Sequence, residues 1–91
     1  MKMFRGLPSE PVTLVKNNAQ RFTLQAIISK DIFFTEDPNI PIEDGDEFER
    51  RLPSGVVERY TVLDAGFQHG MPPAMPSHYQ SKVRKNTGIV R

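Results

Sequence analysis

The stretch that decides the fold runs from Ile42 to Asp64 and reads IEDGDEFERRLPSGVVERYTVLD. Asp44-Gly45 and Pro53-Ser54-Gly55 are typical of tight turns, because glycine tolerates positive φ and proline fixes its own φ. The residues after the second turn, Val56 to Leu63, are rich in β-branched and aromatic side chains, which favours a strand. The stretch therefore predicts a β unit with two chain reversals.

Further short strands are predicted on both sides of this unit. Apolar and polar residues alternate over 21–29, as in a half-buried strand, and Asn17-Asn18 would turn the chain back from an apolar run over 12–16. Ile32-Phe33-Phe34-Thr35 is expected to continue the 21–29 strand after a bend. The alternation over 77–85 predicts a last, edge strand, and 64–76 is expected to be a long loop.

These elements, with eight prolines and six glycines, predict an all-β or mainly β fold. We expect a small antiparallel barrel or roll of about six short strands, with at most one short helix near 1–10 or 66–76. Residues 1–11 would form an irregular N-terminal arm, 12–85 a single β domain and 86–91 a C-terminal tail. A chain of 91 residues has a small core and little room for a deep internal site.

The composition excludes several classes of function. The chain has no cysteine, which excludes disulfides, thiolate metal sites and thiol catalysis. No run approaches the ~18 apolar residues of a membrane span, and the first residues lack the apolar core of a signal peptide. We therefore expect a cytoplasmic protein without a membrane contact.

No set of residues has the spacing of a catalytic or metal site. The acids around Asp44 do not have the EF-hand spacing, so Asp44, Asp46 and Glu47 fit a solvated turn better than a divalent-ion site. A metal-dependent hydrolase built on Asp44, Asp46 and Glu58 is the weakest hypothesis, and the two histidines have no cysteine to complete a zinc site. We expect a non-enzymatic protein with no catalytic residues, no metal and no cofactor.

The charges are segregated although their net value is only +1. Seven of the eleven acids lie within 36–49, and no acid follows Asp64. Solvated surface charge explains this pattern, but attraction between Asp44, Asp46 and Glu47 and the basic Arg84 and Lys85 is the alternative, within one molecule or between copies.

Two binding surfaces are candidates. Phe67, Met71 and Met75 lie in the proline-rich loop, and flexible methionines beside an aromatic ring suit an adaptable contact with a protein partner or a second copy, or a cap over an open barrel end. The alternative partner is single-stranded nucleic acid. Its contacts would be one aromatic residue for stacking and three cations for phosphates, namely Tyr79, Lys82, Arg84 and Lys85.

The order of an apolar residue, a Gly-Asp turn, a short strand and a strand ending in Tyr-x-Val resembles the head-closure and tail-attachment proteins of tailed bacteriophages. The resemblance covers about 40–65, and its matching residues are Ile42, Gly45, Asp46, Phe48, Tyr60 and Val62. It implies a small barrel that assembles as a ring in a virion connector, with loops and termini that contact neighbouring proteins. It implies a structural role, found in the assembled virion if the chain is phage-encoded, and no catalysis.

Overall fold

The computed structural model describes residues 8–37, 39–70 and 77–86, and the secondary structure of these residues consists of strands and turns. The strands are β1 (Glu10–Val15), β2 (Arg21–Ser29), β3 (Ile32–Thr35), β4 (Glu47–Arg51), β5 (Val57–Asp64), β6 (Phe67–Gln68) and β7 (His78–Lys85). The all-β prediction is confirmed. Residues 1–7 and 71–76, where most of either possible short helix would fall, lie outside the described part of the chain.

Six of the strands form a closed antiparallel barrel in the order β3-β2-β1-β4-β5-β7, and β7 closes it by pairing with β3. The barrel, one of the two predicted architectures, is therefore correct. The prediction that the last strand is an edge strand is wrong, because β7 has β3 on one side and both β5 and β6 on the other. Its sparse apolar residues misled the sequence argument, since closure places every wall strand between two neighbours.

The turns at the start of the barrel differ from the predicted ones. Ile32 to Thr35 do not continue β2 but return beside it as β3, through a tight turn in which Lys30 has φ of 54°. The β1–β2 turn contains Asn17-Asn18 as predicted, but Ala19 carries the positive φ of 73°. The Asn18 side chain accepts the Gln20 N–H at 3.1 Å, so the asparagine holds the turn by its side chain.

The inward side chains of the strands fill the barrel. Phe33 and Phe48 are fully buried and their rings stack with centroids 4.7 Å apart, while Phe33 and Tyr60 meet at 4.9 Å. Each large side chain of this kind contributes about 1.5–3 kcal/mol by burial. Among the residues that the structure describes, the buried apolar set is Val12, Leu14, Leu24, Ala26, Phe33, Ile42, Phe48, Tyr60, Val62, Tyr79 and Val83. The barrel interior is thus a packed core.

Part of the expected long loop is extended. The register of β5 on β7 shifts by one residue between Val62 and Asp64, which is a bulge. Beyond the bulge the chain follows β7 until Phe67 and Gln68 pair with Tyr79 and His78 as β6. β6 therefore continues the line of β5 along the same side of β7.

Gly66 makes this continuation possible. Its φ is 66°, and a Cβ at this position would lie 2.3 Å from the carbonyl oxygen of Gln80. Only glycine allows the two backbones to come this close, and the Gly66 carbonyl accepts the Gln80 N–H at 3.0 Å. The glycine therefore fixes where β6 meets β7.

Candidate functional site

A network of charged side chains closes one end of the barrel. Arg50 lies on the same face of β4 as Phe48, and it contacts both carboxylate oxygens of Glu10 at 2.9 and 3.1 Å. Glu58 accepts hydrogen bonds from Tyr60 Oη and from Lys85 Nζ, each at 2.7 Å. Arg50 also lies 3.5 Å from Glu58, so the network joins β1, β4, β5 and β7. We call the charged and hydroxyl side chains of this cluster the polar network; its members are Glu10, Arg50, Glu58, Tyr60 and Lys85.

Contacts within the polar network shift the pKa values of four of its residues. The hydrogen bonds from Lys85 and Tyr60 lower the pKa of Glu58, and the contact with Glu58 raises the pKa of Lys85. Burial and the hydrogen bond to Glu58 raise the pKa of Tyr60, while the Glu10 contact raises that of Arg50. At neutral pH Glu58 is therefore negatively charged and Lys85 and Arg50 are positively charged, so Glu58 faces two cations.

A buried ion pair holds the other end. Lys16 follows the last residue of β1, and its ammonium contacts the fully buried carboxylate of Asp46, the Glu43 carboxylate at 3.1 Å and the Pro41 carbonyl at 2.8 Å. Burial alone would lower the pKa of Lys16, but these hydrogen bonds outweigh it and the pKa is raised. Asp46 Oδ2 also accepts the Glu43 N–H at 2.9 Å. The pair thus ties the segment between β3 and β4 to β1.

The acids considered for a metal site do not converge. Asp46 lies beside Val62, whereas Glu58 is four residues away along β5, about 13 Å at the usual strand rise. Asp44 Oδ1 accepts the Ala65 N–H at 2.9 Å. Across residues 8–37, 39–70 and 77–86, no three histidine, aspartate or glutamate side chains lie close enough to hold a metal ion.

The acidic residues near Asp44 and the basic residues near Lys85, which the charge pattern could bring together, contact other residues instead. Asp46 pairs with Lys16 and Lys85 pairs with Glu58, so neither contacts the other. Glu47 Oε2 is 3.5 Å from the Asn86 side-chain nitrogen. Among the described residues no ion pair joins the acidic set to the basic set, so attraction between copies of the chain stays a prediction.

The four residues of the nucleic-acid hypothesis point in two directions. Tyr79 and Lys85 share the inward face of β7 with Val83; Tyr79 is buried and Lys85 belongs to the polar network. Lys82 and Arg84 lie on the outward face and are exposed. The stacking ring and two of the cations therefore do not share a surface.

Of the three residues in the partner-binding hypothesis, Met71 and Met75 lie outside the described residues. Phe67 is described, and 41% of its surface is exposed. Its ring contacts Tyr79 and His69 edge-on, with centroids 5.0 Å apart in both cases. The Gly70 N–H donates to Ser77 Oγ at 2.9 Å, which joins the two sides of the hairpin. We call residues 67–70 and 77–79 the β6–β7 hairpin.

One edge of this hairpin has no strand beside it in the part of the chain that the structure describes. β4 begins at Glu47 opposite Thr61, and the segment before it covers the edge of β5 only as far as Ala65. Because Gln80 donates to Gly66 and hydrogen-bonding alternates along an antiparallel pair, the backbone N–H and C=O of Phe67 point away from β7.

Sequence patterns did not identify three of the residues that close the ends of the barrel, namely Glu10, Lys16 and Arg50. Alternation along β1 offered one signal, because Lys16 falls in the inward phase of Val12 and Leu14. The same argument places Arg50 in phase with Phe48. No signal in the sequence pairs Glu10 with Arg50, since forty positions separate them.

Comparison with protein-family models, with curated proteins and with solved structures finds no match to this chain. The structure adds that no helix able to span a membrane occurs among the described residues.

Proposed function

We propose that the protein is a non-enzymatic protein-interaction module, a structural component of a phage or prophage virion connector that contacts its protein partner through the β6–β7 hairpin. It would act in the cytoplasm or in the assembled virion. The observation that carries this proposal is the exposed Phe67 ring, which forms an aromatic cluster with His69 and Tyr79 at a barrel rim, since aromatic rings are enriched at protein interfaces.

Two further points support the proposal. The barrel is filled by side chains. At each end of the barrel the charged groups pair with other groups at that same end and do not point at a common site. The resemblance of Ile42, Gly45 and Asp46, together with Phe48, Tyr60 and Val62, to phage head-closure and tail-attachment proteins supplies the class of partner. That partner is a neighbouring virion protein or a second copy.

The experiment asks whether the protein forms a complex with the products of its neighbouring genes. Each neighbour is co-expressed with the tagged protein, and complexes are measured by co-purification and sedimentation. We expect Phe67→Ser to weaken the complex about tenfold or more, as loss of a buried aromatic anchor does. Val56→Ser is the matched control, because Val56 is 56% exposed and lies in the β4–β5 turn. Equal effects of both substitutions, or no complex with any neighbour, would refute the proposal.

The alternative function is binding of single-stranded nucleic acid. The exposed Lys82 and Arg84 on the outward face of β7 favour it. The inward positions of Tyr79 and Lys85 weigh against it, since stacking and phosphate contacts would need one surface. A titration with labelled oligothymidylate at two salt concentrations tests this function, and Lys82→Ala with Arg84→Ala should remove any salt-sensitive binding.

A further inference from the structure

The outer edge of the β6–β7 hairpin offers backbone hydrogen-bonding groups. In antiparallel pairing every second residue turns its N–H and C=O away from the neighbouring strand. The pairing of Gln68 with His78 assigns this outward direction to Phe67 and to His69. The backbone groups of these two residues have no hydrogen bond with any described residue.

Proteins usually protect such an edge with charge, proline or a covering segment. Here the edge residues are an apolar aromatic ring, a glutamine and a histidine, all of them exposed. The covering segment stops at Ala65, where Asp44 caps the backbone N–H. A strand can therefore approach Phe67 and His69 without displacing a described contact.

We infer that this edge binds an extended peptide segment of a partner protein other than a second copy of this chain, and that the segment adds to the barrel wall as a further antiparallel strand beside β6. The inference rests on the proposed function and specifies how the hairpin recognises its partner. Donors and acceptors that alternate along a strand edge are matched by another extended backbone. Nucleic acid lacks that pattern, so the partner is a peptide.

The Phe67 ring determines one side chain of the partner. Opposite residues of an antiparallel pair point to the same face, so the partner residue facing Phe67 meets the exposed part of its ring. Tyr79 and His69 already contact two sides of that ring at 5.0 Å. An apolar side chain at this position would complete the cluster, whereas a charged one would lose its hydration there.

The experiment compares two substitutions at His69. His69→Pro removes the outward N–H and the imidazole ring, while His69→Ala removes only the ring. The difference between the peptide affinities of the two variants therefore measures the contribution of the backbone hydrogen bond. Proline is tolerated at an edge where the N–H faces outward. The His69 N–H makes no bond with the described residues, so both variants should fold, which amide spectra of the labelled proteins will verify.

The first probe is a capped nonapeptide of alternating valine and threonine between terminal lysines. A second probe has the same sequence with every backbone nitrogen methylated, and the third is oligothymidylate. We expect the plain peptide to bind the wild type and His69→Ala and to protect the Phe67 and His69 amides from hydrogen exchange. His69→Pro should bind about 2- to 12-fold more weakly than His69→Ala, the range for one hydrogen bond. The methylated peptide should bind none of the three proteins.

Each other result overturns the inference. Equal binding by His69→Pro and His69→Ala, or binding of the methylated peptide, would show that backbone pairing is not used. Binding of oligothymidylate alone would assign the surface to nucleic acid. Concentration-dependent dimerisation of the wild type that His69→Pro abolishes would assign the edge to a second copy. If Phe67→Ser breaks the complex with a neighbouring protein while His69→Pro does not, strand addition fails and the proposed function stands.

Discussion

Replacement of Asp46 should destabilise the protein more than replacement of any exposed acid. Asp46 Oδ2 accepts two hydrogen bonds, one from the Lys16 ammonium and one from the Glu43 N–H. Hydrogen bonds to a charged group contribute about 1.5–3 kcal/mol each, and breaking a buried ion pair costs about 3–5 kcal/mol. We therefore expect Asp46→Ala to lower the free energy of unfolding by about 3–5 kcal/mol. This is a large part of the total of about 5–14 kcal/mol typical of a chain this long.

Urea unfolding followed by circular dichroism measures this change. Asp46→Asn keeps the shape and loses the charge, so it should cost less, about 2–3 kcal/mol, and remain measurable if the alanine variant unfolds. Glu43→Gln is the control, because the Glu43 side chain is 67% exposed although it also contacts Lys16. It should change the free energy of unfolding by less than about 1 kcal/mol.

A double variant separates the pair from its surroundings. Lys16→Met with Asp46→Leu removes both charges, and replacing a buried pair by apolar side chains is often neutral, so we expect much of the lost stability to return. An Asp46→Ala protein within about 1 kcal/mol of the wild type would refute the reasoning. A double variant no more stable than Asp46→Ala would show that shape, rather than the uncompensated charge, dominates.

Three further predictions concern Gly66 and the polar network. Gly66→Ala should cost at least about 2 kcal/mol more than Gly55→Ala, because both glycines have positive φ but only the Gly66 Cβ would strike backbone; equal urea midpoints would contradict this. Because the pKa of Glu58 is lowered in the folded protein, its contacts add to the free energy of unfolding above its pKa in the unfolded chain, near pH 4.3. This contribution is lost as the pH falls through the folded pKa. Glu58→Gln should therefore flatten the acid side of the stability curve measured by thermal unfolding from pH 2 to 7, and an unchanged slope would refute the assignment. The raised pKa values of Lys85 and Tyr60 act in the opposite direction, so stability should fall as pH rises above about 10, and Lys85→Met should reduce that fall.

Local patterns predicted the strands well, because period-two alternation and turn residues act over a few positions. The alternation over 21–29 became β2 with its apolar side facing the core, and the turn at Pro53-Ser54-Gly55 became the β4–β5 connection. The same hairpin brings Glu49 Oε2 to within 3.4 Å of Arg59 Nε. These features depend on residues that are close in sequence and that a single turn brings together.

Features that depend on closure of the barrel could not be predicted in this way. The central position of β7 follows from pairing with β3, about fifty residues earlier, and nothing in the alternation of 77–85 specifies that partner. The extended course of 67–68 depends on a bulge and on the close approach of Gly66 to Gln80. The open edge proposed as a binding site is a consequence of both, so the sequence indicated Phe67 but not the backbone groups beside it.

The position of β7 also sets the order in which the protein can fold. Because β7 pairs with β3, β5 and β6, the strands made before it leave one edge of β3 and one edge of β5 unpaired until it is made. Such distant pairings slow folding, since much of the chain must be ordered before they form. A ribosome will therefore have to release most of this domain before the barrel can close, and the nascent β3 and β5 edges are exposed to aggregation during that interval. The chain's dependence on chaperones should be greatest at this stage of its synthesis.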